Sequence, residues 1–99
     1  MPVIDREIVM QRLKQIKSEL EKKYMLTELA LFGSYSRQEQ KADSDIDVMV
    51  RFSKPSYKNL WNTTYVLKDL FPGFKLQVVS KGGIKPKYFE RIKDDLIYA

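Results

Sequence analysis

Residues 31–52 read LFGSYSRQEQKADSDIDVMVRF, and this stretch decides the interpretation of the whole chain. It contains a Gly33-Ser34 pair directly after an apolar segment, and the aspartates Asp45 and Asp47 at the start of the next one. Glycine allows a sharp turn and lets a ligand approach the backbone closely. The pair therefore predicts a turn between a strand and a short helix, over Ser34 to Glu39, at which a phosphate group can bind.

Two side chains beside this turn add to its predicted affinity for phosphate. Ser34 offers a hydroxyl donor, and Arg37, one helical turn further on, offers a fork of cationic donors. Taken alone, Gly-Ser before a helix is also typical of ordinary turns and helix caps. The turn by itself leaves both interpretations open.

The two aspartates open a segment, Asp45 to Phe52, in which apolar residues alternate with others. Such alternation predicts a strand that places both carboxylates on one face, about 7 Å apart at their Cα atoms. Two like charges at that distance are unfavourable unless a cation lies between them, and such pairs hold metal ions in two-metal phosphoryl-transfer sites. The alternative is a strand edge with two solvated acids. The apolar face of the strand would carry Ile46, Val48 and Val50.

Outward from this stretch, the sequence predicts an alternation of helices and strands. The predicted helices cover Ile4 to Tyr24, Tyr57 to Phe71 and Lys87 to Ile97, and the predicted strands cover Thr27 to Phe32 and Phe74 to Val79. Trp61 lies on the apolar stripe of the middle helix and is expected in the core. The predicted fold class is α+β, with a small mixed β-sheet and helices packed mainly on one face. We expect a single domain over residues 1–99.

The residue types present limit the chemistry. The chain has 99 residues, with no cysteine and no histidine. This excludes disulfides, thiolate zinc sites, Ser-His-Asp hydrolysis and histidine general bases. A bound metal would be a hard ion held by oxygen ligands, which favours Mg²⁺ or Mn²⁺. No apolar run exceeds the four residues from Leu29 to Phe32, so we expect no membrane span and a cytoplasmic location.

The charge is uneven along the chain. Residues 1–50 contain eight basic and nine acidic residues, whereas residues 51–99 contain ten and four, so the second half supplies all of the net positive charge. A basic half attracts nucleotides, RNA or an acidic partner. Because the lysines are scattered without an aromatic-interleaved recognition motif, a solvated lysine surface is the simpler interpretation and RNA binding the more distant one.

The turn, the serine, the ten residues between Ser34 and Asp45, and the acid pair together resemble the minimal nucleotidyltransferases of the DNA polymerase beta superfamily. The resemblance covers residues 31–52 and extends more loosely over residues 76–99. It implies a polymerase-beta-like nucleotidyltransferase fold, with Gly33 and Ser34 holding the triphosphate of ATP or another nucleotide. It also implies that Asp45 and Asp47 bind two Mg²⁺ ions while an acceptor hydroxyl attacks the α-phosphate and pyrophosphate leaves.

The sequence departs from this family at the third carboxylate. The family places it on the strand that here includes residues 75–79, and the matching residue is Gln77. An amide can offer an oxygen to a metal, but it carries no charge and cannot act as a base. The family also has a small residue before the arginine and a glycine after it, where this chain has Ser36 and Gln38. A glutamine there would be strained if the backbone has a positive φ.

Two functions remain open at this point. The first is a transferase that moves a nucleoside monophosphate, such as AMP from ATP, onto a hydroxyl group. For this function the resemblance implies an antitoxin whose partner is a helical HEPN-type toxin with an acceptor tyrosine. The second is a nucleotide-binding or partner-binding antitoxin module with weak or no turnover, which Gln77 favours. A chain this short would take its acceptor from a partner, and a homo-oligomer remains an option.

Overall fold

The computed structural model describes residues 4–99 and places four strands in one mixed sheet. These strands are β1 (Leu26–Phe32), β2 (Ile46–Phe52), β3 (Leu76–Ser80) and β4 (Ile97–Tyr98), and their order in the sheet is β3-β2-β1-β4. Strand β2 runs antiparallel to β1 and parallel to β3, and β4 runs antiparallel to β1. The predicted fold class, α+β with a small mixed sheet, is confirmed.

Four helices accompany the sheet: α1 (Arg6–Tyr24), α2 (Gly33–Ser36), α3 (Tyr57–Leu70) and α4 (Pro86–Ile92). The two long helices each begin directly after a side chain that caps their first turn. The side chain of Asp5 accepts a hydrogen bond of 2.9 Å from the Ile8 N–H, and Ser56 accepts one of 3.0 Å from the Asn59 N–H. None of the helices within residues 4–99 is long and apolar enough to cross a membrane.

Helices α1 and α3 cover one face of the sheet and form the main core with it. Side chains of this core that are fully buried include Val9, Leu13, Leu20, Leu29, Leu31, Ile46, Val48, Val50 and Leu67. Helix α4 packs on the opposite face, where Ile92 joins a smaller cluster with Ala30, Phe32 and Met49. The main core therefore confirms helices mainly on one face, while α4 also covers part of the face that carries the aspartates.

The C-terminal segment differs from the sequence prediction. The last helix ends at Ile92 instead of Ile97, and a 3-10 turn over Lys93–Asp95 leads into β4. The reason is tertiary, because β4 pairs with the edge of β1 and the Ala99 N–H donates a 2.8 Å hydrogen bond to the Leu29 carbonyl. Backbone groups at a strand edge need partners, and a helical sequence pattern does not record that need.

The placement of Trp61 is a second correction. The side chain is 74% exposed and lies on the outer side of α3, whereas Thr63 and Leu67 supply its fully buried positions. The apolar stripe predicted from the sequence is therefore rotated around the helix axis relative to the side of α3 that is buried in the structure. The helix bounds themselves agree with the prediction to one residue, because Ser56 caps the start and Pro72-Gly73 follow the end.

Candidate functional site

The register of the sheet brings the predicted site residues together. Phe32, the residue directly before Gly33, lies opposite Asp47 in the β1–β2 pair, and Asp47 lies opposite Gln77 in the β2–β3 pair. The Gly33 turn, Asp47 and Gln77 consequently occupy neighbouring positions across three strands. Asp45 directly precedes β2 and is exposed.

Gly33 is required at the turn for two separate reasons. Its φ of 79° lies in the left-handed region, which residues with a Cβ rarely adopt. A Cβ added at this position would lie 2.1 Å from Oδ2 of Asp47, far inside any contact distance. The backbone of the turn therefore packs directly against the Asp47 carboxylate, which couples the predicted phosphate-binding turn to the acid pair.

Asp47 is half-buried, and its surroundings change the pKa of its carboxyl group. Burial, reinforced by the negative charge of Asp45, raises the pKa of Asp47 to about 6, while the nearby Arg37 acts in the opposite direction. An ionised carboxylate held in this way is stabilised by any cation that approaches it. Perturbation by burial together with a specific like charge is typical of functional sites.

The predicted phosphate-binding helix is shorter than the sequence indicates. Helix α2 ends at Ser36 instead of Glu39, so it is a single turn whose first N–H groups have no partner within the helix. The chain leaves the helix through Gln38, which has a φ of 59°. The strained conformation expected for a glutamine at the family's glycine position is thus present.

Arg37 lies beside this turn and is held by ion pairs. Its guanidinium donates to Asp95 at 2.6 Å and to Glu39 at 3.3 Å, and the Asp95 backbone carbonyl also accepts a hydrogen bond from the Ser36 hydroxyl. The sequence predicts a helix over residues 87–97, and such a helix gives no indication that Asp95 contacts Arg37. Arg37 and Asp95 are 58 positions apart in the sequence, and their opposite charges are the one local feature that is consistent with an ion pair between them.

The donor set of the site consists of two carboxylates and one amide. Within residues 4–99, no group of three or more acidic side chains could hold a metal ion. The amide of Gln77 is exposed and stands at the backbone position next to Asp47. Hard oxygen donors around a half-buried negative charge fit Mg²⁺ or Mn²⁺, and two carboxylates fit one such ion better than two.

Comparison with known proteins identifies the family of the chain. A family model described as the nucleotidyltransferase domain matches residues 13–98 of the chain. The chain belongs to the nucleotidyltransferase family. Among curated relatives of this nucleotidyltransferase, MJ0128 of Methanocaldococcus jannaschii, named as a protein adenylyltransferase, is 42% identical over 88 residues, covering 87% of this chain and 89% of the relative. Protein adenylyltransferase MntA of Thermococcus cleftensis is 31% identical over 83 residues, covering 83% of each.

Solved structures of similar chains agree as well. A minimal nucleotidyltransferase superposes with a TM-score of 0.80 at 26% identity, covering 98% of both chains. A chain from a toxin–antitoxin complex with AMP-PNP superposes with a TM-score of 0.67 at 18% identity, covering 96% of this nucleotidyltransferase and 72% of that chain. A chain from the complex of a tri-AMPylated Shewanella oneidensis HEPN toxin with an MNT antitoxin gives 0.67 at 15% identity, covering 94% and 70%. The last two similarities establish the shared fold.

Proposed function

We propose that this nucleotidyltransferase moves AMP from ATP onto a hydroxyl group of a partner protein, and that the partner is a helical HEPN-type toxin. Its curated relatives are named protein adenylyltransferases, and chains of the same fold come from complexes with AMP-PNP and with an AMPylated HEPN toxin. The observation that carries the proposal is the register that sets the Gly33 turn against Asp47 and Gln77. We also propose that residues 1–99 act as one domain, because α1, α3 and the sheet share one core.

In this proposal the turn binds the phosphates. The free N–H groups that follow Gly33 and the hydroxyl of Ser34 would donate to the phosphate oxygens, and Arg37 would add a cationic donor from the side. Close packing of the turn on Asp47 would place the phosphates next to the carboxylates. The result is an arrangement in which anionic ligand and acidic side chains meet at one point, which is favourable only with a cation between them.

Asp45 and Asp47 would hold that cation, Mg²⁺ or Mn²⁺. When bound, it supplies positive charge that offsets the charge developing on the α-phosphate and on the departing pyrophosphate. The raised pKa of Asp47 means that binding of the cation would displace a proton from this carboxyl at mildly acid pH. The acceptor hydroxyl would come from the partner. Gln77 would not remove its proton, because this side chain offers an amide oxygen and no base.

Gln77 also favours a second candidate, a nucleotide-binding and partner-binding antitoxin with little turnover. Loss of one well-placed electrostatic contributor costs about 10²–10³ in rate. The exposed amide stands beside Asp47 at the position of the missing acid. Because the rest of the site would remain intact, weak transfer and pure binding differ in rate more than in structure.

A label-transfer experiment separates the two candidates. Wild type is incubated with α-labelled ATP, Mg²⁺ or Mn²⁺ and a purified HEPN-type protein, and label on that protein is measured. We expect slow transfer that Asp45→Ala and Asp47→Ala abolish and that Gln77→Asp accelerates about 10²-fold or more. Asp43→Ala serves as the matched control, because this exposed acid lies two residues before Asp45 in the same loop.

The possible results have distinct meanings. Absence of transfer by wild type, together with transfer by Gln77→Asp, would leave the binding module as the function. Transfer that persists in both alanine variants would refute the assignment of the acid pair. If neither ATP nor the metal binds the wild-type protein, the proposed roles of Ser34 and the aspartates are wrong.

A further inference from the structure

Three aromatic side chains stand exposed in one row along α3. Tyr57 is 92% exposed, Trp61 74% and Tyr65 66%. Their spacing of four residues places them above one another on the helix surface, over about 12 Å of its length. The opposite side of the same helix carries the buried Thr63 and Leu67. We call Tyr57, Trp61 and Tyr65 the aromatic ridge.

The ridge exposes about as much area as the largest apolar patch of a typical monomer. Aromatic side chains bury about 150–250 Å² each when covered, so at these exposures the ridge leaves roughly 350–580 Å² open to solvent. The largest apolar patch of a typical monomer is about 300–600 Å² and is often functional. One side of a stable protein interface covers about 800 Å², of which the ridge would supply about half.

The proposed catalytic cleft does not account for the ridge. Helix α3 packs on the face of the sheet that carries Val48 and Val50, whereas Asp47 and Met49 lie on the opposite face. The ridge points outward from α3, away from the sheet. A ligand on the ridge is therefore separated from the Gly33 turn by the thickness of the sheet and a helix.

We propose that the aromatic ridge docks into a groove between helices of a partner protein, and that acidic residues border this groove. Rows of side chains four apart are the ridges that fit the grooves of a facing helix in the commonest class of helix packing. Tyr and Trp are also the residues most enriched at energetic centres of protein interfaces. The inference rests on the proposed function, which supplies the partner's identity as a HEPN-type protein.

The charges beside the ridge specify the border of the groove. Around the helix axis, Lys68 lies about 20° to one side of Trp61 and Lys58 about 60° to the other, and both are exposed. Neither forms an ion pair within the described part of the chain. The acid within α3, Asp69, lies about 80° from Trp61 and about 40° from Tyr65, at the C-terminal end of the ridge. Complementary carboxylates on the partner would pair with the two lysines and set the register of docking.

Two other occupants fit these observations less well. A second copy of the chain would bring the same lysines face to face in a two-fold contact, on a molecule with a net charge of +5. Single-stranded nucleic acid binds where aromatic side chains line a basic groove that follows the backbone. The ridge is the convex outer surface of a single helix, which favours insertion into a partner's groove.

Titration calorimetry with a purified HEPN-type protein tests the docking surface. We expect Trp61→Ser combined with Tyr65→Ser to raise Kd at least about 30-fold, the size of a single interface hot spot. The matched control is Tyr98→Ser, which removes a 48% exposed tyrosine on β4 and should leave Kd unchanged. Circular dichroism checks that every variant is folded. Lys58→Glu should raise Kd about tenfold at low salt and less at high salt.

The outcomes are decisive in either direction. The inference is overturned if wild type does not bind this partner, if the double variant binds as tightly as wild type, or if Tyr98→Ser weakens binding as much. It is also overturned if sedimentation reveals a dimer, or binding to a single-stranded RNA oligomer, that Trp61→Ser abolishes. Ridge-dependent binding without any AMP transfer would refute the proposed reaction and leave the docking surface standing.

Discussion

Replacing Asp47 by asparagine is expected to stabilise the protein at neutral pH when divalent cations are absent. Burial and the charge of Asp45 raise the pKa of Asp47 from 3.8 to about 6, so its ionisation is less favourable in the folded chain than in the unfolded chain. A shift of about two units corresponds to roughly 3 kcal/mol. Because the carboxyl is only half-buried and solvent screens its charge, we expect about 1–2 kcal/mol.

The pH dependence gives the sign of this effect. The folded pKa of Asp47 lies above the unfolded value, so the folded state binds the proton more tightly between these two pH values. This contribution to wild-type stability is therefore fully present below about pH 4, falls as the pH rises to about 6, and stays low above it. Asparagine does not titrate. The stability difference between variant and wild type should thus be small near pH 4 and largest above pH 6.

Urea unfolding followed by circular dichroism measures this difference. Wild type and Asp47→Asn are compared with EDTA at about pH 4 and about pH 7.5. Asp45→Asn is the control, and its gain should be smaller because Asp45 is exposed. A variant that is no more stable than wild type at the higher pH, or equally more stable at both, would refute the reasoning.

Adding Mg²⁺ extends the same experiment to the proposed metal site. A ligand that binds only the folded state stabilises it by about 2.7 kcal/mol at a concentration of 100 times Kd. Wild type should gain this stability, whereas Asp47→Asn should gain little, so the order of stabilities reverses at saturating Mg²⁺. Equal gains in both proteins would mean that the cation binds elsewhere.

Three further substitutions test the Gly33 turn, the strained residue Gln38 that follows α2, and the ion pair between Asp95 and Arg37. Gly33→Ala should abolish AMP transfer and lower the unfolding free energy by at least about 1–2 kcal/mol. The reason is that the added methyl group would lie 2.1 Å from the Asp47 carboxylate, on a backbone with a φ of 79°. Normal activity of this variant would contradict the prediction. Gln38→Gly should stabilise the fold by about 0.5–1 kcal/mol in thermal or urea unfolding, because glycine removes the backbone strain of a residue with a φ of 59°. Gln38→Ala should not stabilise the fold. Equal effects of the two substitutions would exclude backbone strain as the cause. Asp95→Asn should raise the KM for ATP a few-fold with kcat nearly unchanged, because Arg37 loses its 2.6 Å partner and must be ordered by the nucleotide; Asp95→Glu should restore much of the loss, and a fall in kcat alone would point to a different role.

The sequence alone was sufficient for helices α1 and α3, for strands β1 to β3, and for placing Asp45 and Asp47 at the start of β2. Helix caps at Asp5 and Ser56, and the alternation from Ile46 to Phe52, are local patterns that hold whatever the chain packs against. The turn at Gly33 can also be predicted from local sequence, because only glycine adopts its backbone conformation freely. The replacement of a third acid by Gln77 can be read directly from the residues once the register of the strand is assumed.

Tertiary structure decided everything that depends on distant parts of the chain. The pairing of β4 with β1 shortened the last helix, and the turn before β4 brought Asp95 to Arg37 across 58 positions. Periodicity indicates that α3 has a buried stripe, but only packing against α1 and the sheet fixed which residues it contains, and it left Trp61 in solvent. The half-burial that raises the pKa of Asp47 comes from the contact with Gly33 and the neighbouring strands. Local sequence specifies conformation, whereas burial and charge proximity are properties of the folded arrangement.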